Sequence, residues 1–369
     1  MSSLNLLRVG SYPTRLRTGM GFHSYQVSLI KDIKTYYLTP ALNEDYLENP
    51  ENIELIKKNF FLKIRPKGVS LFKTIPFLFM RVISILLFSF HGIVLLKVKK
   101  IDIVHIHSPM FMIIAYFSYL FRKKTYITFH GTDFHRIKKS FLYKKFSYIF
   151  DKVFIISEDM AEELIKIHGK EKILLVRNGV DFNLYINKNL KRKKQIIAVG
   201  SLKEEKGFTY LIQAFCELMK ENIEYKKYKL VIAGNGLLYE NLQNQININN
   251  MQDNIILLGH KSTDEIINLY NESELFILSS VSEGFPKVIL EAMSCGCKII
   301  STSVGSVPSI LENTDYYIIK PKDIAELKIS IVNSLKRNNI DYSKIVKSYS
   351  WESVRSIYKL EYEREKCIH

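Results

Sequence analysis

"ELFILSSVSEGFPKVILEAMSCGCKIISTS", residues 274–303, reads as a strand, a turn, a helix and a second strand. The apolar runs "ELFILSS" and "KIISTS" are too short for helices and show little period-2 alternation, as parallel strands buried on both faces do. Between them lies a Ser/Gly/Pro turn followed by a segment with helical spacing. Two glutamates, Glu283 and Glu291, stand eight positions apart, one in the turn and one inside the helix.

The same alternation extends in both directions. Towards the C-terminus and back to residue 195, "QIIAVGS", "KLVIAGNG", "NIILLG" and "YYIIK" read as further strands. Helical patterns such as "YLIQAFCELMKE" and "TDEIINLYNES" separate these strands. The first half offers "LNLLRVGSY", "KTYYLT", "DIVHIHS", "TYITFHG", "KVFIIS" and "ILLVRNGV". Strand–helix alternation over 369 residues predicts two doubly wound α/β domains of ordinary size. The break falls in "NLYINKNLKRKK", residues 183–194, which is polar and basic. This gives a first domain over 1–182, a linker over 183–194 and a second domain over 195–350. Ligands of such sheets bind beyond the C-terminal ends of the strands, so a cleft between two such domains is the expected site.

Composition narrows the function classes. The hydrophobic and charged fractions, 47% and 24%, are those of a globular protein. None of the four cysteines forms a C-x-x-C pair, so a disulfide scaffold or structural zinc is not expected. Cys295 and Cys297 read as small buried thiols. The N-terminus lacks the pattern of an export signal, and a cytoplasmic location is expected. The net charge of +16 is concentrated in residues 1–187, with 28 Lys/Arg against 15 Asp/Glu. Residues 55–101 hold ten Lys/Arg and no acid around "TIPFLFMRVISILLFSF". A second basic cluster runs from Arg122 to Lys145. Basic residues flanking an apolar, aromatic segment suit an anionic lipid surface. Lys73, Arg81, His91 and Lys97 interrupt the run, which argues against a transmembrane helix. The competing reading is a buried core helix with snorkelling lysines. Nucleic acid is not an expected partner, since no base-reading motif accompanies the charge.

The loops after the strands carry the chemistry. Lys206, in "SLKEEKGF", stands just before a helix, where a phosphate would bind; "AGNG" supplies a further tight turn. Pro286 suits a first helical turn, leaving N–H groups around 285–288 available to a diphosphate. Glu291 then lies about 7.5 Å further along the axis, a step that reaches a neighbouring ribose. Its carboxylate can accept from two vicinal hydroxyls, and Glu283 can serve another polyol.

Taken together, "VGSLKEEKGF", "AGNG", "LLGH", "LSSVSEGFPKVILEAMSCG" and "STSVGSVPSI" resemble, in order and spacing, the donor-binding half of the family 4 retaining glycosyltransferases. The resemblance implies the GT-B fold: two Rossmann-like domains facing each other across a cleft. Glu283 and Glu291 match the family's E-x7-E motif, which implies that Glu291 binds the nucleotide ribose and Glu283 the transferred sugar. Backbone near Gly284, Phe285 and Pro286 and around Ser201, Gly234, Asn235 and Gly236 would complete the donor site. Lys206 matches the lysine that stabilises the leaving diphosphate. In the first half, "GSYPTRLRTGMGFHSY" is similar to the family's glycine loop, with Gly19 and Gly21 matching. "DIVHIHSP" and "TFHGTDFHR" resemble its acceptor-side segments. His130 matches the histidine beside the transferred sugar, and His107 and Asp133 are acceptor-side candidates. Residues 351–369 resemble the closing helix, which in this fold crosses back to the first domain. Residues 40–100 carry no matching motif. Ser201 replaces a frequent arginine, Thr18 a glycine, Ser309 a glutamate and Lys287 an asparagine.

His105 and His107 are read as pointing to opposite sheet faces, and no Asp-x-Asp pair occurs, so no metal site and no cofactor are expected. The resemblance implies a retaining hexosyltransferase with His130, Lys206 and Glu283 as catalytic candidates. Its expected donor is a nucleotide sugar. The basic, apolar first half suggests a lipid-linked saccharide or glycolipid acceptor at the inner membrane face, in bacterial surface polysaccharide (lipopolysaccharide, capsule or exopolysaccharide) synthesis. The alternatives are a nucleotide-sugar epimerase of the same fold and a non-catalytic nucleotide-sugar-binding protein.

Overall fold

The computed structural model describes residues 4–13, 19–41, 47, 50–59, 71–130, 134, 137, 140–312, 317–338 and 340–364, with 19, 20, 41, 59 and 71–78 described by backbone alone. The chain divides into two compact units, one of Met1–Arg177 with Val354–His369 and one of Asn178–Ser353.

The first unit is built on a parallel sheet ordered β3-β2-β1-β4-β5-β6-β7. Its strands are β1 (Leu4–Val9), β2 (Ile33–Ala41), β3 (Ile53–Asn59), β4 (Ile103–Ile106), β5 (Lys124–Phe129), β6 (Lys152–Ile155) and β7 (Ile173–Leu175). Their runs are buried on both faces: Leu7, Val9, Val104, Ile106, Ile127 and Val153 lie in one core, and Leu6, Ile103, Tyr126 and Phe154 are buried at the alternate positions. β3, an edge strand in "IELIKKN", lies within residues 40–100, where the sequence carries no matching motif.

The same stretch contains the helix Leu71–Val98. Its span Phe79–Val98 is long and apolar enough to cross a membrane, in contrast to the expectation drawn from its interrupting charges, and 22% of it is buried. Phe88, Ser89 and Leu96 lie along a buried face at helical spacing, and Phe88 and Leu96 join the sheet core. Phe79, Leu86, Leu87 and Phe90 point outward, each more than half exposed. The helix therefore has two apolar faces, one packed on the sheet and one uncovered. It is neither a buried core helix nor an element free of the core.

The second unit has a parallel sheet ordered β10-β9-β8-β11-β12-β13. These are β8 (Lys193–Val199), β9 (Lys229–Ala233), β10 (Ile255–Gly259), β11 (Ser273–Leu278), β12 (Lys298–Thr302) and β13 (Tyr317–Ile319). The helix Phe208–Glu221 buries Phe208, Leu211, Ile212, Phe215, Leu218 and Met219, a 3.6-residue stripe set on the sheet. Residues 183–192 are packed onto this unit: Arg192 donates to the carbonyls of Tyr270, Ser273 and Cys295. Cys295 and Cys297 are fully buried, and burial pushes both thiols up to about 12.

In each sheet the strand order reverses once, between β1 and β4 in the first unit and between β8 and β11 in the second. Loops leaving the paired strands at that point diverge and open a crevice, which is where open α/β sheets bind ligands.

Candidate active site

The second unit's reversal point brings together two loops. β8 ends at Val199 and is followed by Gly200–Lys206; β11 ends at Leu278 and is followed by residues 279–286. Lys206 Nζ lies 2.6 Å from Glu283 Oε1, and the Ser280 hydroxyl donates to the same oxygen at 2.6 Å. Backbone contacts hold the pair in register. The Ser279 hydroxyl donates to Lys206 O, Val281 N donates to Glu205 O, and Thr302 Oγ1 donates to Ser280 O. Ser306 holds Gly284 O through both its N–H and its hydroxyl. Two residues 77 apart in sequence thus form a cation–carboxylate pair, with the side chains mostly but not wholly shielded. Ser280, which fixes the carboxylate, carried no signal in the sequence.

Around the pair the backbones run close. Gly234, at φ +153°, has Gly200 O where a Cβ would sit, and Leu202 N donates to Asn235 O. "GNG" thus docks its loop on Gly200–Leu202, beside Ser201. Pro286 caps the helix Lys287–Ser294 from outside, one position earlier than the first-turn place read from the sequence. Lys287 N turns back to Phe285 O and Ile289 N bonds Pro286 O, so part of the expected N–H set is engaged locally. Phe285 is buried, its ring 5.9 Å from that of Tyr349.

Glu291 has different neighbours. Burial raises its carboxyl above the usual range, opposed by the Lys287 charge and by the Tyr185 and Tyr270 phenols beside it. The structure joins Lys206 and Glu283 directly and sets Glu291 further along the helix, with these two tyrosines. Neither tyrosine was singled out by the sequence; Tyr185 falls in the segment read as linker.

In the first unit, His107 follows β4 and His130 follows β5, with Gly21 in the helix Gly19–Gln26 after β1, packed near Ser11 and Pro13. His107 Nδ1 is 3.2 Å from His130 Nε2. The His105 and His107 rings stack at 4.7 Å and 11°, which overturns the expectation of opposite faces: residues two apart along a strand share a face. Both are fully buried, whereas His130 is only partly covered. His107 is thus an inner residue reaching outward through His130. Burial holds all three imidazoles well below their usual range, with neighbouring His and, for His105 and His107, Arg8 adding to the effect. Asp133 and Thr18 lie outside the described residues.

Comparison with known proteins agrees in both halves. Residues 181–349 match the family model described as glycosyl transferases group 1, and residues 30–184 match that of glycosyltransferase family 4. An uncharacterized glycosyltransferase of Methanocaldococcus jannaschii is 27% identical over 285 residues, covering 72% of this chain and 77% of the relative. The Escherichia coli UDP-Gal:alpha-D-GlcNAc-diphosphoundecaprenol alpha-1,3-galactosyltransferase is 28% identical over 66% of this chain and 67% of its own length. The solved sucrose-phosphate synthase of Thermosynechococcus elongatus superposes with a TM-score of 0.72 at 15% identity, covering 99% of this chain and 100% of that one. With the two family models matched in succession along residues 30–349 and the two Rossmann-like sheets in place, the chain belongs to the family 4 retaining glycosyltransferases of GT-B fold, which transfer a sugar from a nucleotide-sugar donor.

Proposed function

We propose that this enzyme moves a hexose from a nucleoside diphosphate sugar to a lipid-linked saccharide or glycolipid at the cytoplasmic face of a membrane, in bacterial surface polysaccharide synthesis. The observation that carries the donor half is the Lys206–Glu283 pair at the β8/β11 reversal point. Without donor the two charges satisfy each other. A bound diphosphate takes the ammonium as its cation and frees Glu283 to accept from sugar hydroxyls. Glu291 takes the ribose diol. As the anomeric bond breaks, positive charge grows on the sugar and negative charge on the diphosphate. Lys206 and the local N–H groups are already oriented to stabilise the latter. The leaving phosphate oxygen takes the acceptor hydroxyl's proton on the same face, and the configuration is retained. His130 serves the transferred sugar from the first unit.

The acceptor half rests on the uncovered apolar face of Leu71–Val98. Phe141 and Leu142, more than half exposed beside Lys144 and Lys145, add a second apolar and basic group. The E. coli relative, whose name gives a UDP-sugar donor and a diphosphoundecaprenol-linked acceptor, supports both halves of the reading.

The test is a thermal-shift screen of nucleotide sugars, followed by transfer of the best labelled donor sugar to a bacterial lipid extract. Binding at one hundred times Kd should stabilise the unmutated protein by about 2.7 kcal/mol. Lys206→Ala and Glu291→Ala should show little of that shift, and label should enter the lipid phase with its anomeric configuration retained. Release of free nucleotide with no labelled lipid would overturn the acceptor assignment. An equal shift in all three proteins would overturn the donor site.

A further inference from the structure

Arg8 is fully buried one residue before the end of β1, and no carboxylate pairs with it among the described residues. Its guanidinium meets three acceptors. Nη1 lies 2.6 Å from His107 Nε2, and Nη2 reaches Tyr362 Oη at 2.9 Å and Val27 O at 3.3 Å. A guanidinium only donates, so each hydrogen bond it makes has a fixed direction. This direction propagates. His107 Nε2 must accept, so the ring's proton sits on Nδ1, which then donates across 3.2 Å to His130 Nε2. His130 Nε2 therefore also accepts, and its proton also sits on Nδ1.

The second chain runs the same way. Tyr362 accepts from Arg8 and passes its own proton 2.7 Å to His105 Nδ1; His105 Nε2–H donates 2.7 Å to Thr128 Oγ1. Beyond Thr128 the contacts continue to Tyr358 Oη at 3.3 Å and from there to His23 Nε2 at 3.2 Å, with either partner able to donate in each. The His23 ring meets that of His130 edge-on at 5.1 Å. One buried cation thus sets the direction of hydrogen bonding as far as His130 on one side and Thr128 on the other. Free histidine in water has no comparable constraint on which nitrogen bears its proton.

We propose that Arg8 is a positioning residue: through His107 it locks His130 as the neutral Nδ1–H tautomer with Nε2 engaged, so that this ring does not act as a general base. The burial that keeps these imidazoles neutral acts in the same sense. The role of His130 towards carbohydrate rests on the function proposed above; the tautomer assignment stands on the first unit's geometry alone.

Two-bond proton–nitrogen correlation spectra of the ¹⁵N-histidine-labelled full chain test the tautomers directly, with assignments from His107→Gln and His130→Gln. The unmutated protein should show Nδ1–H signatures for His107 and His130. Arg8→Met should abolish the preference at both rings, and Arg8→Lys, which keeps one donor, should restore it in part. Tyr362→Phe should alter His105 and leave His107 and His130 unchanged, which separates the directed chain from general loosening of the core. In turnover, Arg8→Met should lower kcat about tenfold, the scale of one lost hydrogen bond, with the donor KM little changed. Nε2–H signatures at His107 or His130 in the unmutated protein would overturn the proposal. So would unchanged tautomers in a folded Arg8→Met. Full turnover by His130→Ala with the tautomers as expected would instead remove the functional reading and leave the assignment standing.

Discussion

At Gly207 the backbone sits at φ +63°, and a Cβ there would lie 2.1 Å from the Ser279 carbonyl oxygen. That carbonyl belongs to the loop whose Ser280 and Glu283 meet Lys206, so side-chain bulk at 207 would push Lys206 and Glu283 apart. Gly207→Ala is expected to cost about 1–3 kcal/mol in stability from backbone strain and to weaken donor binding as well. Urea unfolding and a donor titration together check this; a variant destabilised but binding normally would uncouple the glycine from the site. His168 supplies a different residue-scale expectation. Burial, and secondarily the Lys172 charge, lowers its imidazole to about 4, while its Nε2 lies 2.7 Å from the Tyr143 hydroxyl. Between the unfolded value near 6.5 and that lower one, only the unfolded chain binds the proton, so stability is intact above ~6.5 and falls as pH drops towards 4. The loss from this one ring approaches roughly 3 kcal/mol. Unfolding curves at pH 7 and pH 5 should show a slope that His168→Gln reduces. Glu283, Glu291 and Lys206 could be singled out from spacing and turn chemistry, because backbone position dictated them. Ser280, Tyr185, Tyr270 and Arg8 could not. Each matters through a contact with a residue distant in sequence, and no local pattern records such a contact.

Elements differ in how much of themselves they show in sequence. β8 to β13 were legible because strands buried on both faces have to be continuous apolar runs. β3 was not: "IELIKKN" mixes lysine and glutamate into an edge strand, and Lys99 reaches Glu54 across 2.9 Å to pair one of them. The two-residue period of β4 puts His105 and His107 on one face, and the stack they form underlies the whole histidine cluster. Leu71–Val98 was ambiguous for a physical reason: apolar residues surround it on all sides, so composition could not tell the face on the sheet from the face turned outward. The outward face makes a clear prediction. Leu86→Glu with Phe90→Glu, both on exposed positions away from the core, should leave the protein folded and its nucleotide-sugar shift intact. Sedimentation with anionic vesicles should drop at least tenfold in the double variant. In the unmutated protein, binding should weaken with salt yet survive it, since screening at 0.15 M acts beyond roughly 8 Å and leaves ring burial untouched. Equal sedimentation of both proteins would overturn the outward face as a lipid-binding surface.

At the scale of the whole molecule, the chain's two ends belong to one unit: Val354–His369 groups with Met1–Arg177, not with the sheet that precedes it. The basis is visible in the helix Trp351–Arg364. Tyr358 and Tyr362 are fully buried, Tyr358 stacking on Phe154 at 4.6 Å and Tyr362 on Tyr126 at 5.9 Å, and both join hydrogen-bond chains begun by Arg8. Lys359 pairs with Asp32, and Arg355 Nη1 donates to Gln26 at 3.1 Å. A contact of this kind spans 354 positions between Arg8 and Tyr362, so the first unit cannot finish folding until the segment around Tyr362 is available. Removing residues 354–369 should therefore destabilise the N-terminal sheet while sparing the C-terminal one. Hydrogen exchange of the shortened chain is expected to show lost protection in β1, β4, β5 and β6, where the two tyrosines and their partners lie. Protection should persist in β8, β9, β11 and β12, whose core draws on none of the described residues of the removed segment. Uniform loss across both sheets would mean that the two units unfold as one cooperative body. Unchanged protection in β1 would mean that the buried tyrosines contribute little to the stability of the first sheet.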